Sequence, residues 1–557
     1  MRLKALGLTL MAVSVAAMVA ACGGGGGGGG DSAQPGVQLS GVAATGLALA
    51  NSSVDVKCAS GTGTATTNAS GAYTVAVVNG ALPCLVKVTG TADGAEVTLH
   101  SLAEAGTASG STTTATANVT PLTEMILAQL AGTVPTSFFE SFGSGTTVTA
   151  AQLQAATTTV LAALKDATGI DLAADPFKSD LVPATATTAG NAYDDALEAL
   201  KAKVPLQSLP LVVTQIASTA VTSGTTTAPL TLADVMAGVN AGGSATCPTA
   251  LSGKYRVIEY TGLVQEVQID FGRNVVIDGA DEIPFTPSAQ PCEFSIGSGP
   301  TATRIGFGPS GVGALQDDGT IAYLVPVQAH PLSAFTGEWN YVESGIREDD
   351  NPVHFLGKFT FAATGAGVEC GYRNEDTGAL SATCEQDNVL PSISATSDGG
   401  AALAYGDTPG VMYGYRAPNG NFFAFGSTNA SGTGTTGSMR THFIMHKPSP
   451  WVAPAVGAVS KYWDFAMLPT SAGLAPSSAA DSSTVNSVSG NTVQRTRASD
   501  SRVDTLSLND PLPGVRTRIG PSTLAVQHQI QLGGLGVTVT FNGEGEPHLY
   551  AASLGRP

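Results

Sequence analysis

The period of the apolar residues changes twice along this chain, and those changes bound what it can fold into. Residues 36–120 alternate, or run β-branched, in short stretches such as SVDVKCAS, GAYTVAVV and CLVKVTG between Gly, Asn and Ser turns. That is the pattern of strands. Residues 121–243 then switch to a helical period. Thr120-Pro121 opens TPLTEMILAQLAG with a hydroxyl N-cap and a first-turn proline, and Gly132 closes it. Thr149 and Gln152 are spaced as a capping box ahead of Leu153, Val160, Leu161 and Leu164, and Gly169 ends that run. Tyr193, Leu197, Leu200 and Val204 form a further stripe, and Thr231 with Asp234 starts a last helix. From 247 to 557 strands return. The expected class is multidomain and mainly β, with a helical middle segment. A length of 557 residues leaves room for about three domains.

Ahead of these segments, Arg2 and Lys4 precede an uncharged apolar run from Ala5 to Ala21. A charged start, an apolar run and small residues at its end make residues 1–21 an export signal. The run is marginal in length as a membrane span. Val19-Ala20-Ala21-Cys22 resembles the lipobox of bacterial lipoproteins. The resemblance implies that the Cys22 thiol takes a diacylglyceryl group, that the signal is cut before it, and that the new amino end is acylated. Gly23, where Asp would favour retention at the inner membrane, implies the outer membrane, with the face left open. Each buried methylene contributes about 0.8 kcal/mol, so two or three chains anchor stably. Residues 22–35 then hold the acylated cysteine and a leash built on Gly23 to Gly30, with a reach on the order of 15–20 Å.

Six further cysteines fall two to a segment: Cys58 and Cys84, Cys247 and Cys292, Cys370 and Cys384. In an oxidising compartment an even set reads as disulfides. Pairing within each segment is the simplest choice among the possible connectivities. On the chain-entropy model the first would contribute roughly 3.5 kcal/mol and the last roughly 3. No CxxC occurs and no histidine adjoins these cysteines, which argues against zinc. Charged residues are 12% of the chain, the net charge is −18, and no basic cluster occurs anywhere. Nucleic acid is thereby excluded as a partner. No apolar run after Cys22 is long enough to cross a bilayer, so the lipid is the expected membrane contact.

The stretch GVAATGLALANSSVDVKC followed by TATTNASGAYTVAV resembles the carboxypeptidase-regulatory-like, Ig-like β-sandwich of exported bacterial proteins. Thr67, Asn68, Gly71 and Tyr73 hold the places of its Thr-Asp-x-x-Gly-x-Tyr turn, with Asn where Asp is commoner. The resemblance implies a fold over residues 36–120 and no peptidase chemistry. In the C-terminal half, LSGKYRVIEY at 251–260 and FTGEWNYVES at 335–344 rhyme, and VSKYWDFAM at 459–467 follows more loosely. Three related β-units are expected, at 247–334, 335–450 and 451–557, or one β domain built of them. Gly337-Glu338-Trp339 resembles the opening of lipocalin-like barrels, from which Gly253-Lys254-Tyr255 departs by its tyrosine.

Signatures of local chemistry are missing: there is no Gly-x-Ser-x-Gly elbow, no phosphate-binding glycine loop and no HExxH. His442 and His446 would stand roughly 13 Å apart on a strand, too far to share one zinc ion. The acidic groups Asp281-Glu282, Asp317-Asp318 and Glu348-Asp349-Asp350 read as loop tips, the second as a hairpin turn with Gly319. Trp339, Trp451, Trp463, Tyr255, Tyr341, Tyr413, Tyr415 and Tyr462 alternate as core residues do. No catalytic residue, metal ligand or cofactor is expected. The expected function is non-enzymatic: a lipid-anchored envelope protein with a structural, interaction or adhesion role and an unnamed partner. The first alternative is an apolar molecule or a sugar held by barrels of the C-terminal half. A large apolar cavity there would favour it, and side chains filling each barrel would count against it. The second is a hydrolase whose site is assembled from distant segments.

Overall fold

The computed structural model describes residues 36–556, apart from 144, 186–187, 221–229, 300, 347–351, 374–379, 387–389, 407, 429–439, 471–472, 520–526 and 543–548. The signal, Cys22, the glycine leash, the Glu348-Asp349-Asp350 cluster and His548 lie outside the described residues. The chain is mainly β with a helical middle segment, as its periodicity predicts.

Residues 36–116 form two four-stranded sheets. In one, Gly36–Val42 lies between Ala72–Val78, antiparallel, and Thr112–Thr116, parallel. The other runs Thr62–Thr66, Ser53–Ser60, Ala81–Ala92, Ala95–Ala103. Alternate residues bury one face of each: Val37, Leu39, Val75 and Val77 in the first, Val54, Val56, Val86 and Val88 in the second. The expected turn forms. Asn68 Oδ1 accepts from the Ser70 and Ala72 amides at 2.9 and 3.0 Å, Gly71 takes φ 77°, and the buried Tyr73 hydroxyl donates to the Ala117 carbonyl.

Helices follow at Pro121–Ala131, Pro135–Ser141, Ala150–Thr168, Ala192–Lys203, Leu209–Thr219 and Leu232–Ala241. Thr120, Thr149 and Thr231 cap three of them through capping boxes with Thr123, Gln152 and Asp234. Two helices were not legible. Pro135–Ser141 is short, and Leu209–Thr219 is buried nearly all round, so it has no polar face to mark its period. Glu124 of the first helix meets His100 of the sandwich at 2.9 Å, and the helices share one apolar core with the sheets.

The two rhyming starts become the same structural part. Gly253–Glu259 begins an up-and-down meander through Val264–Asp270, Val275–Asp278 and Asp281–Pro284. The chain then returns through Thr286–Pro287, Glu293–Ile296, Thr303–Phe307 and Gly313–Asp317 to Thr320–Pro326, which pairs with the first strand. Gly337–Ile346 begins a second nine-stranded sheet of the same order, closed by Arg440–His446. Each is a curled sheet left open at one seam. Both opening aromatics tie back to the carbonyl four residues earlier: Tyr255 Oη to Leu251 and Trp339 Nε1 to Phe335, each at 2.8 Å. Aromatics fill both interiors. Tyr255, Phe271, Phe285, Phe294 and Phe307 stack edge-on or tilted in the first, and Trp339, Tyr341, Phe359 and Phe361 pack in the second.

The last unit differs. Eight strands from Val459–Thr470 to Tyr550–Gly555 close fully, the first pairing with the last from Tyr462↔Gly555 to Met467↔Tyr550. Its Trp463 points outward into a core that also holds Ile258 and Tyr323 of the first sheet and Tyr415 and Phe425 of the second. The three units thus share one core. The looser third rhyme is no structural repeat of the other two aromatics. Cys58 and Cys84, Cys247 and Cys292, and Cys370 and Cys384 lie in pairs at disulfide distance, with Cα separations of 3.8, 4.4 and 5.4 Å.

Candidate functional site: the lumen of the C-terminal barrel

In this barrel the alternation of each strand sends polar side chains inward. On Val459–Thr470, Tyr462, Asp464 and Ala466 face the lumen, while Trp463, Phe465 and Met467 face the shared core. On Gln527–Leu532 the glutamines 527, 529 and 531 point in and Ile530 and Leu532 out. Val537–Asn542 places Thr538 and Thr540 inside, and Tyr550–Gly555 places Ala551 and Ser553 inside. The outer apolar face is covered by the two neighbouring sheets. Elsewhere the outside of the described strands is polar, as at Ser482, Thr484, Asn486, Gln494 and Thr496.

The lumen is a cavity of about 560 Å³, within the range of small-molecule sites. One wall is cationic. Arg495 and Arg497 come from Thr492–Arg497, Arg502 stands just before Val503–Leu508, and Arg516 and Arg518 come from Val515–Ile519. An Arg-x-Arg spacing on a strand puts both guanidiniums on one face, and adjacent strands bring the two pairs together. Lys461 also lines the lumen, and among the described residues Asp464, Asp481, Asp500 and Asp504 are the carboxylates that face or pair with these cations. The lining carries an excess of positive charge.

The carboxylates are distributed unevenly. Arg497 clasps Asp481 Oδ2 through Nε and Nη2 at 3.0 and 2.8 Å. Burial would raise Asp481, but the hydroxyl of Ser499 at 2.7 Å and this arginine hold it down to about 2. Asp504 must serve three: Arg502 Nε at 2.8 Å, Arg495 Nη2 at 3.7 Å and Arg518 Nη1 at 3.9 Å. Burial raises the Asp464 carboxyl, which accepts from Ser553 Oγ and is pulled the other way by Arg497 and Arg495. Arg516 donates to Gln529 Oε1 at 2.6 Å and stacks 4.1 Å from the Trp451 ring centroid. Burial, then repulsion from Arg495, lowers the Arg516 pKa well below its ordinary value. Arg518 is lowered by burial and by Arg502. Two buried donors on this lining, Arg495 Nε and Trp451 Nε1, have no hydrogen-bond partner among the described atoms. Trp451 packs with Val485, Val493, Leu506 and Leu508 to close one end.

The reading that no basic cluster exists is corrected here. The arginines are scattered through RTRASDSR and VRTRI, and only the pairing of three strands gathers them. The Arg-Thr-Arg motif, repeated 21 residues apart, is the signal that would have found them. The expected apolar character of a barrel cavity is also corrected: the apolar side chains face outward because two neighbouring sheets offer an apolar surface there.

The remaining candidates do not assemble into a site. His442 and His446 lie on Arg440–His446, both buried and both lowered by that burial to about 4. His442 Nε2 meets the Tyr550 hydroxyl at 2.7 Å in the shared core. Among the described residues no group of three metal-ligating side chains occurs. Glu282 forms an exposed ion pair with Arg273 at 2.9 Å, and Asp318-Gly319 is the tip of a hairpin. Of the aromatics, Trp451 and Tyr462 line the lumen and Trp339, Trp463, Tyr255, Tyr341, Tyr413 and Tyr415 are buried.

No protein-family model matches the chain, and no curated protein does. Five solved chains match. One is a protein with unknown function from the DUF3598 family of Nostoc punctiforme, 10% identical, covering 40% of this chain and 97% of that one, with a TM-score of 0.16. So slight a likeness says nothing about function.

Proposed function

We propose that this chain is a lipid-anchored cell-envelope protein that holds a small molecule in the lumen of its C-terminal barrel, without catalysis. The observation that carries the reading is the contrast among the three β-units. Two interiors are packed with aromatics, and the third keeps a cavity of about 560 Å³ lined by groups that bind and orient. The lipobox supports the anchor, and the three cysteine pairs at disulfide distance suit an oxidising envelope compartment. The sandwich and helices then serve as the rigid stalk between anchor and barrel.

Two experiments test it. Intact mass of the native protein beside Cys22→Ser, before and after reduction and alkylation, should give a lipid adduct only in the native form and six thiols only after reduction. Free thiols without lipid would remove the address. A ligand screen by thermal shift on the soluble Cys22→Ser form tests the lumen, since a ligand at a hundred times its Kd adds about 2.7 kcal/mol. Ala551→Trp, which narrows the lumen, should weaken any hit. A hit it leaves unchanged lies elsewhere.

A further inference from the structure

The two walls of the lumen differ, and the difference names a ligand chemistry. This inference rests on the proposal that the lumen binds a small molecule. Arg495, Arg497, Arg502, Arg516 and Arg518 come from three consecutive strands or their edges, and form one side. The strands Gln527–Leu532, Val537–Asn542 and Tyr550–Gly555 form the next side. Their register puts Arg516 opposite Gln529, Gln529 opposite Thr540 and Thr540 opposite Ala551, while Thr538 faces Ser553. One wall is cationic and the other offers neutral amides and hydroxyls.

We infer that the lumen takes a small, hydroxylated anion, such as a sugar phosphate or a sugar diacid. The excess of positive charge on the lining calls for an anion. Guanidiniums favour carboxylate and phosphate through paired N–H groups. Arg495 Nε and Trp451 Nε1 are buried donors with no acceptor among the described atoms, and a bound oxyanion would supply one. The Gln, Thr and Ser side chains of the facing wall take the ligand's hydroxyls. A fatty acid would set its chain against these polar groups, which costs affinity, and a neutral sugar would leave the charge excess standing. The cavity admits a ligand of sugar size.

The test is calorimetric titration of the soluble Cys22→Ser protein with five probes: galactarate, glucose 6-phosphate, galacturonate, glucose and palmitate. The two doubly charged probes should bind tightest, galacturonate more weakly, and glucose and palmitate not measurably at millimolar concentration. Affinity for galactarate should fall as salt rises. Arg516→Gln and Arg495→Gln should each weaken galactarate roughly tenfold or more. Asp464→Asn removes a negative charge without removing a side chain and should tighten galactarate several-fold, a gain that loosened folding does not produce. Far-UV circular dichroism confirms that each variant is folded. Glucose or palmitate binding as well as galactarate would overturn the charge assignment while leaving the lumen a binding site. Failure of both doubly charged probes in a folded protein would overturn the inference, and the wider screen on the same protein decides separately whether the lumen binds anything.

Discussion

Glu343 shows how a single residue sets a pH response in this fold. It is buried inside the second sheet, where Thr441 donates to its Oε1 and Glu369 adds repulsion. Burial raises its pKa from the ordinary 4.5 to about 7. A raised carboxyl stabilises the fold fully below its unfolded pKa, and that contribution is lost as pH rises through about 7. Glu343→Gln should flatten this dependence, making the variant more stable than the wild type by roughly 3 kcal/mol at the alkaline side relative to the acidic side of the window. Urea unfolding of both proteins across the window checks it; parallel curves would contradict the assignment. His442 and His446 work the other way. Burial pulls them to about 4, so their contribution is present above about 6.5 and fades as pH falls. Neither effect was legible from sequence, because burial of a charged residue depends on partners far along the chain. The arginines of the lumen escaped notice for the same reason.

At the scale of elements, the aromatic that opens each nine-stranded sheet acts as a plug. Trp339 is fully buried, donates to the Phe335 carbonyl at 2.8 Å, and lies under Lys447 Nζ, 3.7 Å from its ring centroid. Trp339→Phe should cost about 1–3 kcal/mol, since it leaves a buried carbonyl without its donor. Trp339→Ala should cost about 3–5 kcal/mol. Equal losses in denaturant melts for the two variants would show that the hydrogen bond alone matters. Much at this scale could be read in advance. The Gly-x-aromatic rhyme marked a shared part, and the threonine caps at 120, 149 and 231 marked three helix starts correctly. What escaped was the helix Leu209–Thr219, buried on almost every side, and the seam that leaves each nine-stranded sheet open. Strand pairing between Thr286–Pro287 and Asp281–Pro284 would have been needed to close the first one, and the sequence between them carries no sign of its absence. The cross-strand pair Cys58 and Cys84 joins neighbours in one sheet. Cys58→Ala with Cys84→Ala should lower sandwich stability by roughly 3.5 kcal/mol, measured by thermal unfolding with and without reductant.

At the scale of the molecule, the arrangement explains why one barrel can afford a polar interior. The first and second sheets bury aromatics inside and present apolar residues outside, and the barrel lays Phe465, Ile530, Val539 and Leu554 against them. Its stability comes from that outer face, which frees the inner face for charge. Acidic residues dominate the chain as a whole, so a cationic lumen inside it is a selective feature: anions are repelled by the surface at large and find favourable potential in one place. The alternation along Val459–Thr470 was visible in the sequence, but which face met protein and which met water was not. Titration of the soluble Cys22→Ser protein with galactarate, beside the same protein carrying Ala551→Trp, tests the central claim most directly. Saturable binding of one molecule is expected, weakened when the lumen is narrowed. Unchanged binding in the narrowed variant, or none in either, would contradict it.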